Sequence, residues 1–129
     1  MSYATYKEIG VDKNNQEVIN YQVPVIQTLE ERIEKIKQYP VVVVYYYTDW
    51  CGPCKMVAPK FAKLAQNYLQ QGVLLVKENA ENDIGSYPEN IRGVPCFHFY
   101  KEGQYLPEHK VTGAGIEQVD ENIKKLFNY

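Results

Sequence analysis

Two cysteines three positions apart, Cys51 and Cys54, enclose Gly52-Pro53 and are flanked by Trp50 and Lys55. At the start of a helix that spacing brings the thiols within disulfide reach, so the pair can alternate between dithiol and disulfide. The first thiol faces unpaired backbone N–H groups and the positive end of the helix dipole, which stabilise its thiolate. The second lies one turn further in, where it is expected to be more buried and less ionised. Cys51 is therefore the candidate nucleophile and Cys54 the candidate resolving thiol. Pro53 suits the first helical turn, where a missing N–H costs nothing. Gly52 leaves the approach to Cys51 open.

Such a pair needs a strand to deliver it and a helix to receive it, and the sequence predicts both. Residues 41–47, Val-Val-Val-Val-Tyr-Tyr-Tyr, are seven β-formers without alternation, as in a central strand covered on both faces. A helix follows the cysteines to about Gln71, with Val57, Phe61, Leu64, Ala65 and Tyr68 inward, Pro59 expected to kink it and Gly72 to stop it. Upstream, Ile19, Tyr21, Val23 and Val25 alternate as a strand, and Pro24 suits an edge. Thr28-Leu29-Glu30-Glu31 reads as a capping box opening a helix that turns Leu29, Ile33 and Ile36 inward and ends before Pro40. Downstream come a strand over 73–77, a short helix over 82–90 and a hairpin of strands 96–101 and 105–112 around Glu102-Gly103. A closing helix carries Ile116, Val119, Ile123 and Leu126. This order predicts an α/β fold with a mixed sheet and helices on both faces. Residues 1–20 read as an appendage, with a candidate hairpin pairing residues 6–11 and 17–21 across 12–15.

The hexapeptide Trp50-Cys51-Gly52-Pro53-Cys54-Lys55 resembles the active-site signature of the thioredoxin family. The resemblance extends to Pro59 in the following helix, Gly93-Val94-Pro95 as the cis-proline loop, Lys101-Glu102-Gly103-Gln104 as the last hairpin turn, and Gly113-Ala114-Gly115 beside the substrate groove. It covers residues 21–129 and leaves residues 1–20 outside. It implies the thioredoxin fold and a protein-disulfide reductase. Cys51 would attack a disulfide on a partner protein and Cys54 would displace the reduced partner. Trp50, Gly52, Pro53, Val94, Pro95 and Gly113 would contact the substrate, with the Val94 backbone pairing to it. A thioredoxin reductase, or an equivalent donor, would restore the dithiol. The redox-active disulfide itself replaces any cofactor. Gly-Pro between the cysteines points by the same resemblance to a reductant rather than an oxidant or isomerase.

The sequence also departs from the family. Six residues before the nucleophile, where the family usually carries a buried aspartate that takes the proton of the resolving cysteine, stands Tyr45. A phenol is a poor base at neutral pH. Lys77 matches the lysine that accompanies that aspartate and so lacks its carboxylate. Tyr45 and Lys77 are thus the residues expected to tune the resolving thiol. Cys96 follows the proline of the loop, and strand alternation sets it on one face with His98. A metal set of Cys51, Cys54, Cys96 and His98 is conceivable. The first two already have a redox role, however, and a lone cysteine is commonly a buried small side chain, so no metal is expected. An extra redox thiol at Cys96 is the intermediate reading. His109 reads as a solvated strand residue.

The 129 residues suffice for one domain. A net charge of −2 gives no reason to expect nucleic acid or an anionic membrane as partner. The longest apolar run is far too short to span a bilayer. Three cysteines fit a cytosolic redox or metal site better than a disulfide framework. With nothing resembling a signal peptide in residues 1–21, the chain is expected in the cytoplasm, acting as a monomer on disulfide-containing proteins. The competing function is a binding or scaffold module of the same fold, with incidental redox activity.

Overall fold

The computed structural model describes residues 10–11, 17–18 and 21–127. Its central strand is the apolar run, β4 (Val41–Tyr47), whose first six residues are fully buried. Branched and aromatic side chains fit a pleated surface covered on both sides. β5 (Val73–Asn79) lies parallel to β4 in register, pairing Val41 with Val73 and Tyr45 with Lys77. β6 (Cys96–Lys101) runs antiparallel on the other side of β4, pairing Tyr45 with Phe97 and Tyr46 with Cys96. β3 (Val25–Ile26) extends the sheet parallel to β5, at the edge where Pro24 predicts it. β7 (Gln104–Tyr105) and β8 (Val111–Thr112) both pair antiparallel with β6. Backbone with positive φ at both Glu102 and Gly103 makes the two-residue turn between β6 and β7. A separate pair, β1 (Gly10–Val11) and β2 (Glu17–Val18), is antiparallel, in line with the expected hairpin, whose remaining residues lie outside those described.

Among the described residues three helices cover the sheet. α1 (Leu29–Gln38) packs on the face that carries Tyr46, Glu78 and His98. The opposite face presents Tyr45 and Phe97 to Phe61 of α2 (Gly52–Leu69), at ring separations of 5.0 Å and 5.7 Å. α3 (Ile116–Phe127) joins α2 through a hydrogen bond from the Tyr68 hydroxyl to Asp120, and its Val119 and Ile123 are fully buried. Helices on both faces of a mixed sheet are what the alternation of elements predicts.

Several expectations need correction. Of the strand read from Ile19, the described residues keep only Val25–Ile26, which pairs with the edge of β5. On α1 it is Arg32 that is buried, at 2% exposure, while Ile33 is 45% exposed. Leu29, Arg32 and Ile36 form the inner stripe, and Ile33 is turned about 100° away from Arg32 on the helix. The helix expected over 82–90 is a single 3-10 turn, Ala80–Asn82, ended by left-handed backbone at Asp83, Gly85 and Ser86. The strand over 105–112 is interrupted by a 3-10 turn, Pro107–His109, which Pro107 opens and in which His109 is half-buried. Pro59, expected inside α2, does lie within it.

Candidate active site

The site is built where β4 ends and α2 begins. Thr48 O accepts from the Cys51 N–H at 3.3 Å, which turns the chain out of the strand. Cys51 is the N-cap of α2, with extended backbone, and its Sγ accepts from the Cys54 N–H at 3.1 Å. A cap atom that takes an orphan helix donor is ordinarily a side-chain oxygen. Here it is the reactive sulfur, so the same N–H would solvate the Cys51 thiolate in the dithiol form. The two sulfurs are joined as a disulfide, with Cα atoms 5.2 Å apart.

The expected difference in burial between the two cysteines is not present in this form. Each is 3% exposed. Around them Asp49, Gly52, Pro53, Lys55 and Met56 are exposed, and Trp50 is 69% exposed, so the pair sits just below an open rim. A Cβ built on Gly52 would meet nothing within 4 Å, consistent with an open approach. The Trp50 indole is held by a hydrogen bond from Nε1 to Glu81 Oε2 at 3.0 Å, and Glu81 is fixed in turn by the Asn79 side chain.

The Val94–Pro95 peptide bond is cis, and Pro95 is buried. The Gly113 N–H donates to Pro95 O at 2.7 Å, tying the proline loop to the strand that follows β7. Gly113 has φ of 96°, a conformation that requires glycine here. Beside this loop lies a cleft of about 560 Å³ whose wall includes Glu89, Arg92, Gly93, Cys96 and Lys110.

Behind Cys54, a cavity of about 240 Å³ is lined by Tyr45, Tyr47, Thr48, Asp49, Cys54 and Lys77. Tyr45 donates its hydroxyl hydrogen to Cys54 O at 3.2 Å and stacks on Phe97 at 5.1 Å. Burial, reinforced by Tyr47, pushes the Tyr45 phenol up to about 12. A group so hard to ionise is a donor at this position and not a base. Lys77 lies beside Tyr45 in the sheet and places Nζ 5.5 Å above the Tyr47 ring.

Cys96 and His98 share the opposite face of the sheet from Tyr45 and Phe97, as alternation requires. Burial pushes the Cys96 thiol up, which opposes a reactive role. Among the described residues, no group of three or more His, Cys, Asp or Glu side chains is placed to hold a metal ion. The same holds for membrane spans: no described helix is long and apolar enough to cross a bilayer.

Two features escape a reading of the sequence by motif. One is Glu81, the partner of Trp50. The other is Arg32, whose guanidinium grips the Glu78 carboxylate at 2.9 Å through both Nε and Nη2. Alternation within Val73–Asn79 does hold a signal for the second, since Glu78 shares a face with buried Leu74 and Val76 and so demands an internal cation.

A mixed sheet that delivers a Cys-Gly-Pro-Cys disulfide to the N-terminus of a helix, with a cis-proline leading into β6, defines a dithiol–disulfide exchange protein. Comparison with known proteins agrees. The family model described as thioredoxin matches residues 23–125. Thioredoxin Asp f 28 of Aspergillus fumigatus is 36% identical over 85 residues, covering 66% of this chain and 77% of that protein. A thioredoxin of the sponge Geodia cydonium is 37% identical over 86 residues, covering 66% of this chain and 78% of that one. Among solved structures, oxidised mitochondrial thioredoxin 3 of Saccharomyces cerevisiae superposes with a TM-score of 0.70 at 33% identity, covering 80% of this chain and 94% of that one. The chain belongs to the thioredoxin family. With its cysteine pair at disulfide distance it is a thiol–disulfide oxidoreductase acting as a protein-disulfide reductase.

Proposed function

We propose that this chain works in the cytoplasm as a monomeric reductant of disulfides in partner proteins, contributing to electron transport and redox homeostasis. In the dithiol form the Cys51 thiolate attacks one sulfur of a substrate disulfide. A mixed disulfide forms and the other substrate sulfur leaves as a thiolate that takes up a proton. Cys54 then loses its proton and attacks Cys51 Sγ. This closes the Cys51–Cys54 bond and expels the second substrate thiolate, so the substrate gains two electrons and two protons and this chain loses them. The structure corresponds to the end of that cycle, and a thioredoxin reductase or equivalent donor returns two electrons and two protons.

The observation that carries this reading is the Cys51 sulfur acting as helix cap, because it supplies a donor to the thiolate before any substrate arrives. Trp50, Gly52 and Pro53 form the exposed rim on which a partner chain would rest. Val94, Pro95 and Gly113 would offer backbone to it, with the Val94 peptide pairing as a short strand. The reductase domain is taken as residues 21–129 and residues 1–20 as an appendage to it, a division supported by the family match that begins at residue 23.

Reduction of insulin by dithiothreitol, followed by turbidity, tests the cycle. Wild type should accelerate precipitation, and Cys51→Ser should lose the acceleration by about a hundredfold or more. Cys54→Ser should accumulate a covalent adduct visible on non-reducing gels. An adduct formed equally well by Cys51→Ser would overturn the assignment of the nucleophile.

A further inference from the structure

The buried ion pair of Arg32 and Glu78 has a second set of contacts that the reductase cycle does not yet explain. While Nε and Nη2 hold Glu78, Nη1 donates to Gly85 O at 2.7 Å and to Ser86 O at 3.1 Å. The guanidinium also lies 4.5 Å from the centre of the Tyr87 ring. Gly85 and Ser86 both have left-handed backbone, with φ of 83° and 55°, which aims two successive carbonyls at one donor. A single side chain on α1 thus fixes three consecutive residues of the segment that leads to the cis-proline.

That segment, residues 83–95, has little regular structure of its own, so its path depends on such anchors. Glu89 is a second one, accepting from the Tyr105 hydroxyl and from Lys110 Nζ, each at 2.7 Å. The Gly113 N–H to Pro95 O bond is the third. Of these three, only the Arg32 anchor comes from α1, on the face of the sheet opposite α2. A buried ion pair is seldom needed for stability, since apolar side chains of similar volume serve as well or better. What apolar side chains cannot supply is a planar fork that bridges a carboxylate to two backbone carbonyls.

We propose that Arg32, held by Glu78, is a positioning residue for substrate recognition: by fixing the Gly85 and Ser86 carbonyls it sets the path of the loop that presents the Val94 backbone to a substrate chain. This rests on the reading that Val94 pairs with the substrate, and it predicts a defect confined to substrates long enough to pair. Extended protein substrates use the loop, whereas a small disulfide needs only the sulfurs.

The test uses full-length Arg32→Lys and the charge-free pair Arg32→Met/Glu78→Met, which leaves no orphaned buried ion. Insulin is the protein substrate and dithiobisnitrobenzoate the small one. Both variants should raise KM for insulin about fivefold or more with kcat within about twofold, and react with the small disulfide at the wild-type rate. Arg32→Lys, which retains a charge for Glu78, should show the smaller defect. Amide hydrogen exchange at Val94 in the Cys54→Ser adduct with insulin separates the two levels of inference. No protection of Val94 in the Arg32-intact adduct overturns both the pairing and the role of Arg32. Protection there, with unchanged insulin KM and equal protection in the Arg32 variants, overturns the role of Arg32 alone. Equal loss of activity on both disulfides also overturns it, since that would mark a general fault in the fold.

Discussion

Tyr45 changes one step of the exchange and leaves the others alone. Its phenol is pushed up to about 12 by burial and donates to Cys54 O, so it offers the resolving thiol no base. Attack by Cys51 does not involve it. Closure of the Cys51–Cys54 bond requires the Cys54 proton to leave, and the cavity shared with Thr48, Asp49 and Lys77 is the available route to solvent. Tyr45→Asp places a carboxylate beside that thiol and should shorten the lifetime of the mixed disulfide by about a hundredfold, the low end of the usual range for a positioned general base. Stopped-flow acid quenching of the adduct measures it. An unchanged or longer lifetime would show that proton removal from Cys54 is not limiting. At this scale the sequence was most legible, because spacing alone sets Cys51 and Cys54 and the helix start sets their order of action. Equal burial of the two in the disulfide form was not legible from their spacing alone.

At the scale of elements, alternation in β6 sends Cys96 and His98 to one face and Phe97 to the other, and the structure keeps that arrangement. Alternation does not tell what His98 meets. It is fully buried between Tyr46 and Tyr105, each at a ring separation of 5.0 Å. Burial is the main cause that pushes its imidazole down to about 4, with Lys110 and Arg32 acting in the same direction and Glu89 against them. The folded protein therefore holds His98 neutral where the unfolded chain would bind a proton. Its contribution to stability is intact above about pH 6.5 and falls as pH drops toward 4, with about 2 kcal/mol gone by pH 5. Glu89 is held below the usual carboxylate range by Lys110 and Tyr105. His98→Phe keeps the ring contacts and removes the titrating group. Urea unfolding at pH 7 and pH 5 should show wild type losing about 2 kcal/mol more than the variant. Equal losses would acquit His98. The same gap between pattern and partner explains the misread elements. Apolar spacing made Ile33 an inner residue, while the buried Glu78 carboxylate selects Arg32. Residues 82–90 lack a helix because left-handed backbone at Asp83 ends the 3-10 turn and Arg32 holds the Ser86 carbonyl, an anchor that no local propensity contains.

For the whole molecule, redox state and folding are linked by one thermodynamic cycle. Closing a ring between residues three apart restricts the unfolded chain by an amount equivalent to roughly 2 kcal/mol. Because the fold already holds Cys51 and Cys54 at the helix start, little of that restriction is repeated in the native state. The disulfide form should therefore unfold at the higher temperature. For a domain of this size the difference corresponds to roughly 5–10 °C in Tm. The cycle also runs the other way: whatever the disulfide adds to the fold, the fold adds to the disulfide. The native pair should then be harder to reduce than the same pair in the unfolded chain by roughly 40 mV, and so be the stronger reductant when reduced. Calorimetry with and without a phosphine reductant gives the first quantity, and equilibration with glutathione in buffer and in urea gives the second. The two must agree in sign and size. A reduced form that melts at or above the oxidised one, together with a native potential no lower than the unfolded one, would mean that the helix start favours the Cys51 thiolate more strongly than the ring. The chain would then be poised to give disulfides rather than to take them.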